Sequence, residues 1–574
     1  MRRALALGLA LVSLGCDERG ALPASGGDDA ATGPTGPAPD FADVFGPRPD
    51  PATLPMLDAP ALLTRLSLDL RGVRPTPEER ARVELGGADA DAALDALVDE
   101  MMADARFGDR VRDLFATILR TRVEDFPVGA AALGLDEADQ GALFASIGEE
   151  ALHVVARVAT EDRPWTELVT ADWTMADATL EAIYPLAREA GPDAAWRPAR
   201  YTDGRPAAGL LTTNGLWWRY LSDGVSYGRG RANAIARIFL CADFLDRPVD
   251  FPRDIDLTDE QGIRRAVRDN DGCIGCHAGL DPLASYLAGF QYTDKTAAEM
   301  LTYHPERERA WGAMTELAPA FYGAPGYTLR DLGRQIAADP RFVQCAVETT
   351  FELLLRRDVD WTDAREVDAL TRHREAFLAG GLTLRSLVRS IVSDPRYRMA
   401  ETSDGAGAER LVTPEQWADV LAAWTGYRME VGGADLLATD LTGLRTLAGG
   451  GDGRSGSEPA ALPTATMSLV WERTAEAAAR FAVSSPAAPP EARALFELAV
   501  AAAPDGDAAF DDPAFRAQAA ALHRRLFGTR VAADGPEVRA TLALWDRLNQ
   551  IDGPEDAWAG VLTALFRDPS LALY

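Results

Sequence analysis

Five consecutive residues in the middle of the chain have the types and spacing for specific chemistry: Cys273-Ile274-Gly275-Cys276-His277. This is the C-x-x-C-H motif of c-type haem attachment. Two thiols three positions apart reach the two vinyl groups of one porphyrin and form thioethers, and the adjacent imidazole can ligate the iron. Because the chain has only five cysteines, a chance match is improbable, on the order of one in a thousand or less. We therefore predict one covalent haem c, with Cys273 and Cys276 as thioether residues and His277 as the iron ligand.

Three other kinds of site remain open for the same residues. A redox-active C-x-x-C would need a thioredoxin-like βαβ surrounding, which the neighbouring pattern does not show. A zinc site would need a fourth ligand, and no second Cys/His pair stands at finger spacing. A short disulfide between Cys273 and Cys276 is the third alternative. We favour haem because the N-terminus indicates export.

The ligand on the other face of the iron would decide the chemistry. A Met or a second His there is typical of an electron carrier, whereas an open position allows peroxide or small-gas chemistry. The downstream candidates are Met300, His304 and Met314, although a surface or core role is the commoner one for each. Met175 and His153 are candidates only if the earlier part of the chain folds over the haem, and His153 is expected to pack within a helix.

The sequence contains no other catalytic pattern that we recognise. It has no G-x-S-x-G elbow, no phosphate-binding loop and no H-E-x-x-H. His373 and His523 stand beside arginines on charged helix faces, so we expect both to be solvated. Lys and Arg number 58 and Asp and Glu 88, a net charge of −30. Such a polyanion repels phosphate backbones, which argues against nucleic-acid binding.

The first sixteen residues are typical of an export signal. Residues 1–3 are positive, and residues 4–14 are apolar but too short to span a bilayer. Cys16 follows a Gly as in a bacterial lipoprotein signal, although Ser13 stands where such signals usually have Leu. We expect Cys16 to be acylated, with an ordinary signal peptide as the alternative. Residues 17–45 then predict a flexible tether, and the protein is expected to be a periplasmic or cell-surface lipoprotein.

Two cysteines remain once Cys16 and the motif are assigned, namely Cys241 and Cys345. An oxidising compartment favours pairing them. A bridge of this span would constrain the unfolded chain by roughly 4–5 kcal/mol in the loop-entropy model. Two buried, unpaired thiols are the alternative.

The sequence predicts an all-α fold with repeated helix-turn-helix modules. Helix starts are marked by Thr with Glu or Gln three positions later, at Thr76, Thr258 and Thr413. Runs of alternating β-branched residues are scarce. The expected divisions are a signal at 1–16, a tether at 17–45, an N-terminal helical module at 46–125, a helical domain at 126–245, the haem segment at 246–325, a helical module at 326–400 and a C-terminal helical domain at 401–574.

An internal repeat runs through these modules. Its copies cover residues 66–107, 353–397 and, more weakly, 526–569. Each copy predicts a helix, a capped turn, and later an amphipathic helix that ends at Asp-Pro or its equivalent. We favour a duplicated packing module over a repeated binding unit.

Several blocks resemble an uncharacterised family of exported proteins associated with planctomycete-type cytochrome c. The blocks are Leu62–Glu79 (LLTRLSLDLRGVRPTPEE), Glu161–Leu180, Gly209–Thr212, Arg229-Gly230, Asp271–Phe290 (DGCIGCHAGLDPLASYLAGF) and Leu329–Arg398. The resemblance implies a multi-block helical protein with a C-x-x-C-H haem segment and a largely unassigned activity. Leu280 departs from the pattern, since the family often has Met before the Asp-Pro. The family commonly carries cysteines near Cys241 and Cys345, which strengthens the expectation of a disulfide.

Three functions are compatible with these features. The first is an exported, lipid-anchored monohaem c-type cytochrome that transfers electrons, with an acidic surface that favours a basic redox partner. The second is a haem-dependent, peroxidase-like oxidoreductase with an open distal site. The third is a surface polysaccharide-binding or scaffold protein, which Trp217 and Trp218 permit but do not require.

Overall fold

The structure is a computed structural model. It describes residues 50–574 except 124, 193–194, 222–227, 247–257, 293–295, 316, 402–408, 432–433, 440–441, 454–457, 485–494 and 507. The predicted signal at 1–16, with Cys16, and the predicted tether at 17–45 lie outside the described residues. Export and anchoring therefore stay predictions.

Most of the described chain is helical, which confirms the predicted all-α class. The α-helices up to residue 285 are α1 (Ala59–Arg71), α2 (Pro77–Gly86), α3 (Ala90–Ala103), α4 (Ala105–Leu119), α5 (Gln140–Thr160), α6 (Glu167–Thr170), α7 (Ala178–Ile183), α8 (Asn214–Arg219), α9 (Arg229–Leu240), α10 (Glu260–Asp269) and α11 (Asp271–Ser285). Those after residue 285 are α12 (Ala297–Met300), α13 (Pro305–Thr315), α14 (Leu329–Ala338), α15 (Pro340–Leu355), α16 (Ala364–Ala379), α17 (Leu384–Val392), α18 (Pro395–Arg398), α19 (Pro414–Thr425), α20 (Leu444–Leu447), α21 (Ala465–Ser484), α22 (Pro513–Phe527), α23 (Pro536–Asp552), α24 (Pro554–Phe566) and α25 (Pro569–Ala572).

Helix starts follow the local capping chemistry. At Thr76 the side chain accepts from the Glu79 amide at 3.2 Å, and Glu79 accepts in return from the Thr76 amide at 2.8 Å. Thr413 begins α19 with the same reciprocal pair, so two of the predicted capping boxes are confirmed. The third prediction is wrong by one residue. Asp259, not Thr258, caps α10, because its carboxylate reaches the Gln261 amide at 3.0 Å.

The described strands form three small antiparallel sheets. Strands β1 (Thr174–Ala176), β2 (Leu186–Arg188) and β3 (Arg197–Tyr201) are arranged in the order β1-β3-β2, with Thr174 opposite Ala199 and Leu186 opposite Tyr201. The other two sheets are hairpins of β4 (Ala320–Phe321) with β5 (Ala324–Pro325), and of β6 (Glu430–Val431) with β7 (Ala434–Asp435).

Buried apolar side chains form three clusters. The first core cluster is drawn from residues 62–397, the second from residues 412–571 and the third from residues 123–300. A fully buried apolar side chain contributes about 1.5–3 kcal/mol, so these clusters hold the helices together. Within the first, α9 packs against both α11 and α15. No helix in the described part of the chain is long and apolar enough to cross a membrane.

The three copies of the repeat share their turn geometry. Helices α1, α15 and α22 each end at a residue in the left-handed conformation, respectively Gly72 (φ 71°), Arg356 (φ 53°) and Gly528 (φ 74°). Such a C-terminal residue lets the chain turn while satisfying helix carbonyls. The closing Asp of each copy caps a further helix or turn: Asp104, Asp394 and Asp568 each accept from the amide two residues later, at 2.9 Å. The three copies thus share their turn and capping geometry, and the duplicated packing module stays our interpretation of the repeat.

Candidate functional site

The five motif residues lie in the first two turns of α11. This helix begins where the side chain of Asn270 accepts a hydrogen bond from the Gly272 amide at 3.0 Å, which satisfies one of the unpaired N-terminal amides. Helix α10 ends immediately before Asn270, and the two helices pack against each other. The motif is therefore held on a regular helix and not on a loop.

Cys273 and Cys276 lie one helical turn apart, and both are free, partly exposed thiols. Residues at this spacing share one helix face, with their Cβ atoms roughly 5–6 Å apart. A Cβ atom added to Gly275, between them, would meet no atom within 4 Å, so the helix surface is open there. The structure has no disulfide between these two thiols, which was one of the alternatives for the motif.

His277 is bound through one of its ring nitrogens. Its Nδ1 lies 3.0 Å from Oδ1 of Asp281, one turn further along the same helix. Because an ionised carboxylate can only accept, Nδ1 is the donor. In the neutral imidazole the other nitrogen, Nε2, then carries the lone pair that metal ligation requires. The imidazole is 23% exposed, so a ligand can reach the ring from outside the helix.

Asp281 is held in turn by Arg229, the first residue of α9. The guanidinium donates from Nε to Oδ1 at 2.6 Å and from Nη2 to Oδ2 at 2.9 Å, which fixes the carboxylate plane. Burial by itself would raise the pKa of Asp281, but the hydrogen bonds from His277 and Arg229 lower it below its ordinary value. The carboxylate is therefore ionised and orients the His277 ring.

An aromatic wall lies one turn beyond Cys276, at Gly279. A Cβ atom at Gly279 would lie 3.7 Å from the ring of Phe244 and 3.9 Å from that of Tyr322. These two rings are within 10° of parallel, with centroids 6.5 Å apart, and the guanidinium of Arg341 covers Tyr322 at 4.1 Å. These rings therefore pack on the face of the helix that carries Gly279.

The chemistry of the donor set fits a c-type haem. Two free thiols at the C-x-x-C spacing and an imidazole with an available Nε2 are the groups that such a haem uses. The elements packed against α11 include α9, α10 and β4, and the described strands form no thioredoxin-like βαβ unit around it. Across the residues that the structure describes, no group of three His, Cys, Asp or Glu side chains forms a metal-ion site.

The structure places the candidate distal ligands in other surroundings. Met300 is 1% exposed and belongs to the third core cluster. His304 Nε2 lies 3.0 Å from the carbonyl oxygen of Glu299, and Nδ1 lies 3.3 Å from Oε1 of Glu306, a contact that is an ion pair only when the ring is protonated. The side chain of Met314 lies outside the described residues. Neither Met300 nor His304 is available as a ligand without rearrangement.

His153, His373 and Met175 pack against other side chains, whereas His523 is partly exposed, with Nε2 2.9 Å from Thr541 Oγ1. His153 stacks on Trp196 at 4.1 Å, and burial lowers its pKa well below the ordinary value, which agrees with the expectation that it packs. Met175 is also buried. The expectation that His373 is solvated is wrong. It is 2% exposed and its Nδ1 lies 2.8 Å from Ser390 Oγ, because α16 packs this face against α15 and α17.

The predicted disulfide between Cys241 and Cys345 is confirmed. Cys241 is the left-handed C-terminal residue of α9, and Cys345 lies on α15. The bond therefore ties the C-terminal end of α9 to α15, while Arg229 ties its N-terminal end to α11.

Sequence reasoning did not identify Asp281 and Arg229 as residues of the site. Asp281 stands four positions after His277, the spacing at which side chains on one helix meet, so the sequence did contain an indication of that contact. Arg229 is 52 residues from Asp281, and no local pattern connects the two.

A family model described as PSD4, protein of unknown function (DUF1592), matches residues 57–186. The match covers α1 to α7 and β1, and it includes the blocks Leu62–Glu79 and Glu161–Leu180. It ends before α11, so it does not include Cys273, Cys276 or His277. No curated protein and no solved structure matches the chain. Residues 57–186 are thus similar to a domain whose function is unknown.

Proposed function

We propose that the chain is an exported, lipid-anchored monohaem c-type cytochrome-like protein that transfers electrons. Cys273 and Cys276 would hold the haem through thioethers, and His277 would ligate its iron through Nε2. The haem would supply a one-electron couple whose potential depends on its ligands and surroundings. The likeness of Asp271–Phe290 to the haem segment of planctomycete-type cytochrome c proteins supports this proposal.

One observation carries the proposal. Two free thiols lie one turn apart on a helix, and the next residue is a histidine whose Nδ1 is already bound to Asp281. Metal-ligating histidines almost always donate their second N–H to an acceptor of this kind, which sets the tautomer and the ring orientation before the metal is bound. The two thiols and the imidazole together have the chemistry that covalent haem attachment uses.

The compartment and the partner follow from the other cysteines and the charge. Acylation of Cys16 would hold the protein at a membrane surface, and the disulfide between Cys241 and Cys345 suits an oxidising compartment such as the periplasm or cell surface. The net charge of −30 favours a redox partner with a basic surface. The association rate would then fall as the salt concentration rises.

A second candidate is a haem-dependent oxidoreductase of the peroxidase-like class. It is favoured by the burial of Met300 and the contacts of both His304 nitrogens, because an iron without a sixth protein ligand can bind small molecules. The absorption spectrum separates the two candidates. A low-spin, six-coordinate spectrum supports electron transfer alone, and a high-spin ferric spectrum with peroxide turnover supports the oxidoreductase.

The polysaccharide-binding alternative receives no support from the tryptophan pair that permitted it. Trp217 is 0% exposed and Trp218 is 3% exposed. Sugar stacking needs an accessible ring face, so neither residue offers one.

The test is expression of the full chain in the periplasm together with a c-type maturation system. Haem staining of a denaturing gel reports covalent attachment, and it is run beside Cys276→Ala and Cys273→Ala. The matched control is Ala278→Ser, an exposed change on the same helix. We expect staining of the wild type and of Ala278→Ser, and loss or marked reduction in both cysteine variants. Absence of covalent haem in the wild type would refute both haem-based functions.

A further inference from the structure

The carboxylate behind His277 has no role in haem attachment itself. Thioether formation would use Cys273 and Cys276, and iron ligation would use Nε2 of His277. The structure nevertheless places an ionised, 7% exposed carboxylate at 3.0 Å from Nδ1 and supports it with two hydrogen bonds from Arg229. A buried charge is costly unless it is paired, and the partners of this carboxylate are the Arg229 guanidinium and the His277 ring.

The acceptor on Nδ1 affects how strongly Nε2 donates electrons. A charged acceptor makes a hydrogen bond roughly twice as strong as a neutral carbonyl oxygen does. It draws the Nδ1 proton towards itself, and the ring becomes a more basic ligand. A more basic ligand stabilises ferric iron more than ferrous iron, because the ferric ion carries the larger charge.

Arg229 acts on the same acceptor in the opposite direction. Both Asp281 oxygens accept from its guanidinium, with Oδ1 shared between Arg229 Nε and His277 Nδ1. The positive charge withdraws electron density from the carboxylate and weakens its pull on the His277 proton. Arg229 thus holds Asp281 in place and limits its effect on the ligand.

We propose that Asp281 is a positioning residue that sets the reduction potential of the haem through His277, with Arg229 as the group that moderates it. This inference rests on the proposed function, since it requires a haem on His277. Asp281 keeps the reduction potential of the haem low because it favours the ferric state. Removal of the Arg229 charge lowers that potential further.

The experiment uses the full chain loaded with haem and compares Asp281→Asn with Asp271→Asn. Both substitutions remove one negative charge from α11, but Asp271 is exposed in the first turn and makes no described contact with His277. The readouts are the haem content per chain and the ferrous-to-ferric ratio at a fixed solution potential. Arg229→Gln is also measured, alone and combined with Asp281→Asn. If Asp281→Asn fails to fold, the ferrous-to-ferric ratio of the Arg229→Gln single variant still tests the inference.

We expect Asp281→Asn to raise the ferrous-to-ferric ratio by more than about twofold and at most about tenfold. The upper value is the full difference between a charge-assisted and a neutral hydrogen bond, and only the part of it that differs between ferric and ferrous iron changes the ratio. Asp271→Asn should change it by less than about twofold, because exposed charges are screened. Arg229→Gln should lower the ratio. This effect should be smaller in the Asp281→Asn background, because Arg229 acts on His277 through the Asp281 carboxylate.

Three results would overturn the inference. The first is a shift in Asp281→Asn no larger than that in Asp271→Asn while both keep their haem. The second is a shift of the same sign in Asp281→Asn and Arg229→Gln, which indicates only loosening of α9 from α11. The third is a wild type without covalent haem, which refutes the proposed function as well, whereas the first two leave that function standing.

Discussion

Arg71 and Glu79 form an ion pair with two parallel hydrogen bonds, from Nη1 to Oε1 at 2.8 Å and from Nη2 to Oε2 at 2.9 Å. The pair closes the turn between α1 and α2. In the second copy of the repeat, Arg357 and Glu366 form the same pair at 2.7 and 2.8 Å. The two-bond geometry is the one that arginine and carboxylate favour. The first two copies therefore hold their turns with the same type of ion pair, although Arg71 precedes the left-handed residue of its turn and Arg357 follows it.

The second of these pairs provides a test of the module. Glu366 is 4% exposed, and it also accepts from the Asp360 amide at 3.0 Å. Glu366→Gln breaks the charge pair, and we expect it to lower the free energy of unfolding by about 1–3 kcal/mol. Glu375→Gln, an exposed change on the same helix, is the control and should cost less than about 0.5 kcal/mol. Urea unfolding followed by circular dichroism measures both, and equal losses would contradict the role of the pair.

Local chemistry explains what could be predicted from the sequence. The capping boxes at Thr76 and Thr413 each depend on residues within three positions of each other, and the sequence predicts both. The disulfide followed from the scarcity of cysteine and from the family resemblance. By contrast, the contact of Arg229 with Asp281 depends on which faces of α9 and α11 meet, and the burial of His373 depends on how α16 packs. Such long-range choices are set by the assembled core and leave no periodic pattern in one chain.

The disulfide is expected to stabilise the first core cluster. Cys241 and Cys345 are 104 positions apart, and the loop-entropy model gives about 4–5 kcal/mol for a loop of this length. Replacing both with Ser should therefore lower the midpoint of thermal unfolding clearly. The matched control replaces the free thiols Cys273 and Cys276 with Ser in a chain without haem, where little change is expected. If the two double variants have the same midpoint of thermal unfolding, the disulfide does not contribute this stabilisation.

Glu150 predicts a dependence of stability on pH. Its side chain is fully buried on α5, and Oε1 accepts from Thr174 Oγ1 at 2.8 Å and from the Tyr201 hydroxyl at 2.7 Å. Burial raises the pKa of Glu150 from 4.5 to about 7. Between these pH values the folded state holds a proton that the unfolded state has lost, so this residue makes stability fall as pH rises. The total effect is at most about 3 kcal/mol.

Glu150→Gln removes that titration while it keeps the acceptor oxygen. We expect the variant to gain stability relative to the wild type as pH rises from 4.5 to 7, in urea unfolding curves at several pH values. Glu137→Gln, an exposed position in the segment before α5, should show no such trend. A difference between Glu150→Gln and the wild type that stays constant with pH would show that the buried carboxyl does not titrate in this range.

His373 predicts the opposite dependence. Burial lowers the pKa of His373 from 6.5 to about 4, although Asp394, 3.6 Å from Nε2, acts to raise it. Below pH 6.5 the unfolded chain binds a proton that the folded chain excludes, so this residue makes stability fall as pH drops towards 4, by on the order of 2–3 kcal/mol.

His373→Gln should therefore become more stable relative to the wild type at low pH. His523→Gln should show a smaller trend in the same direction, because His523 is only partly buried and burial lowers its pKa as well. Since Glu150 and His373 oppose each other between pH 4.5 and 6.5, each effect must be measured as the difference between a variant and the wild type at each pH, and a flat wild-type profile alone would contradict neither.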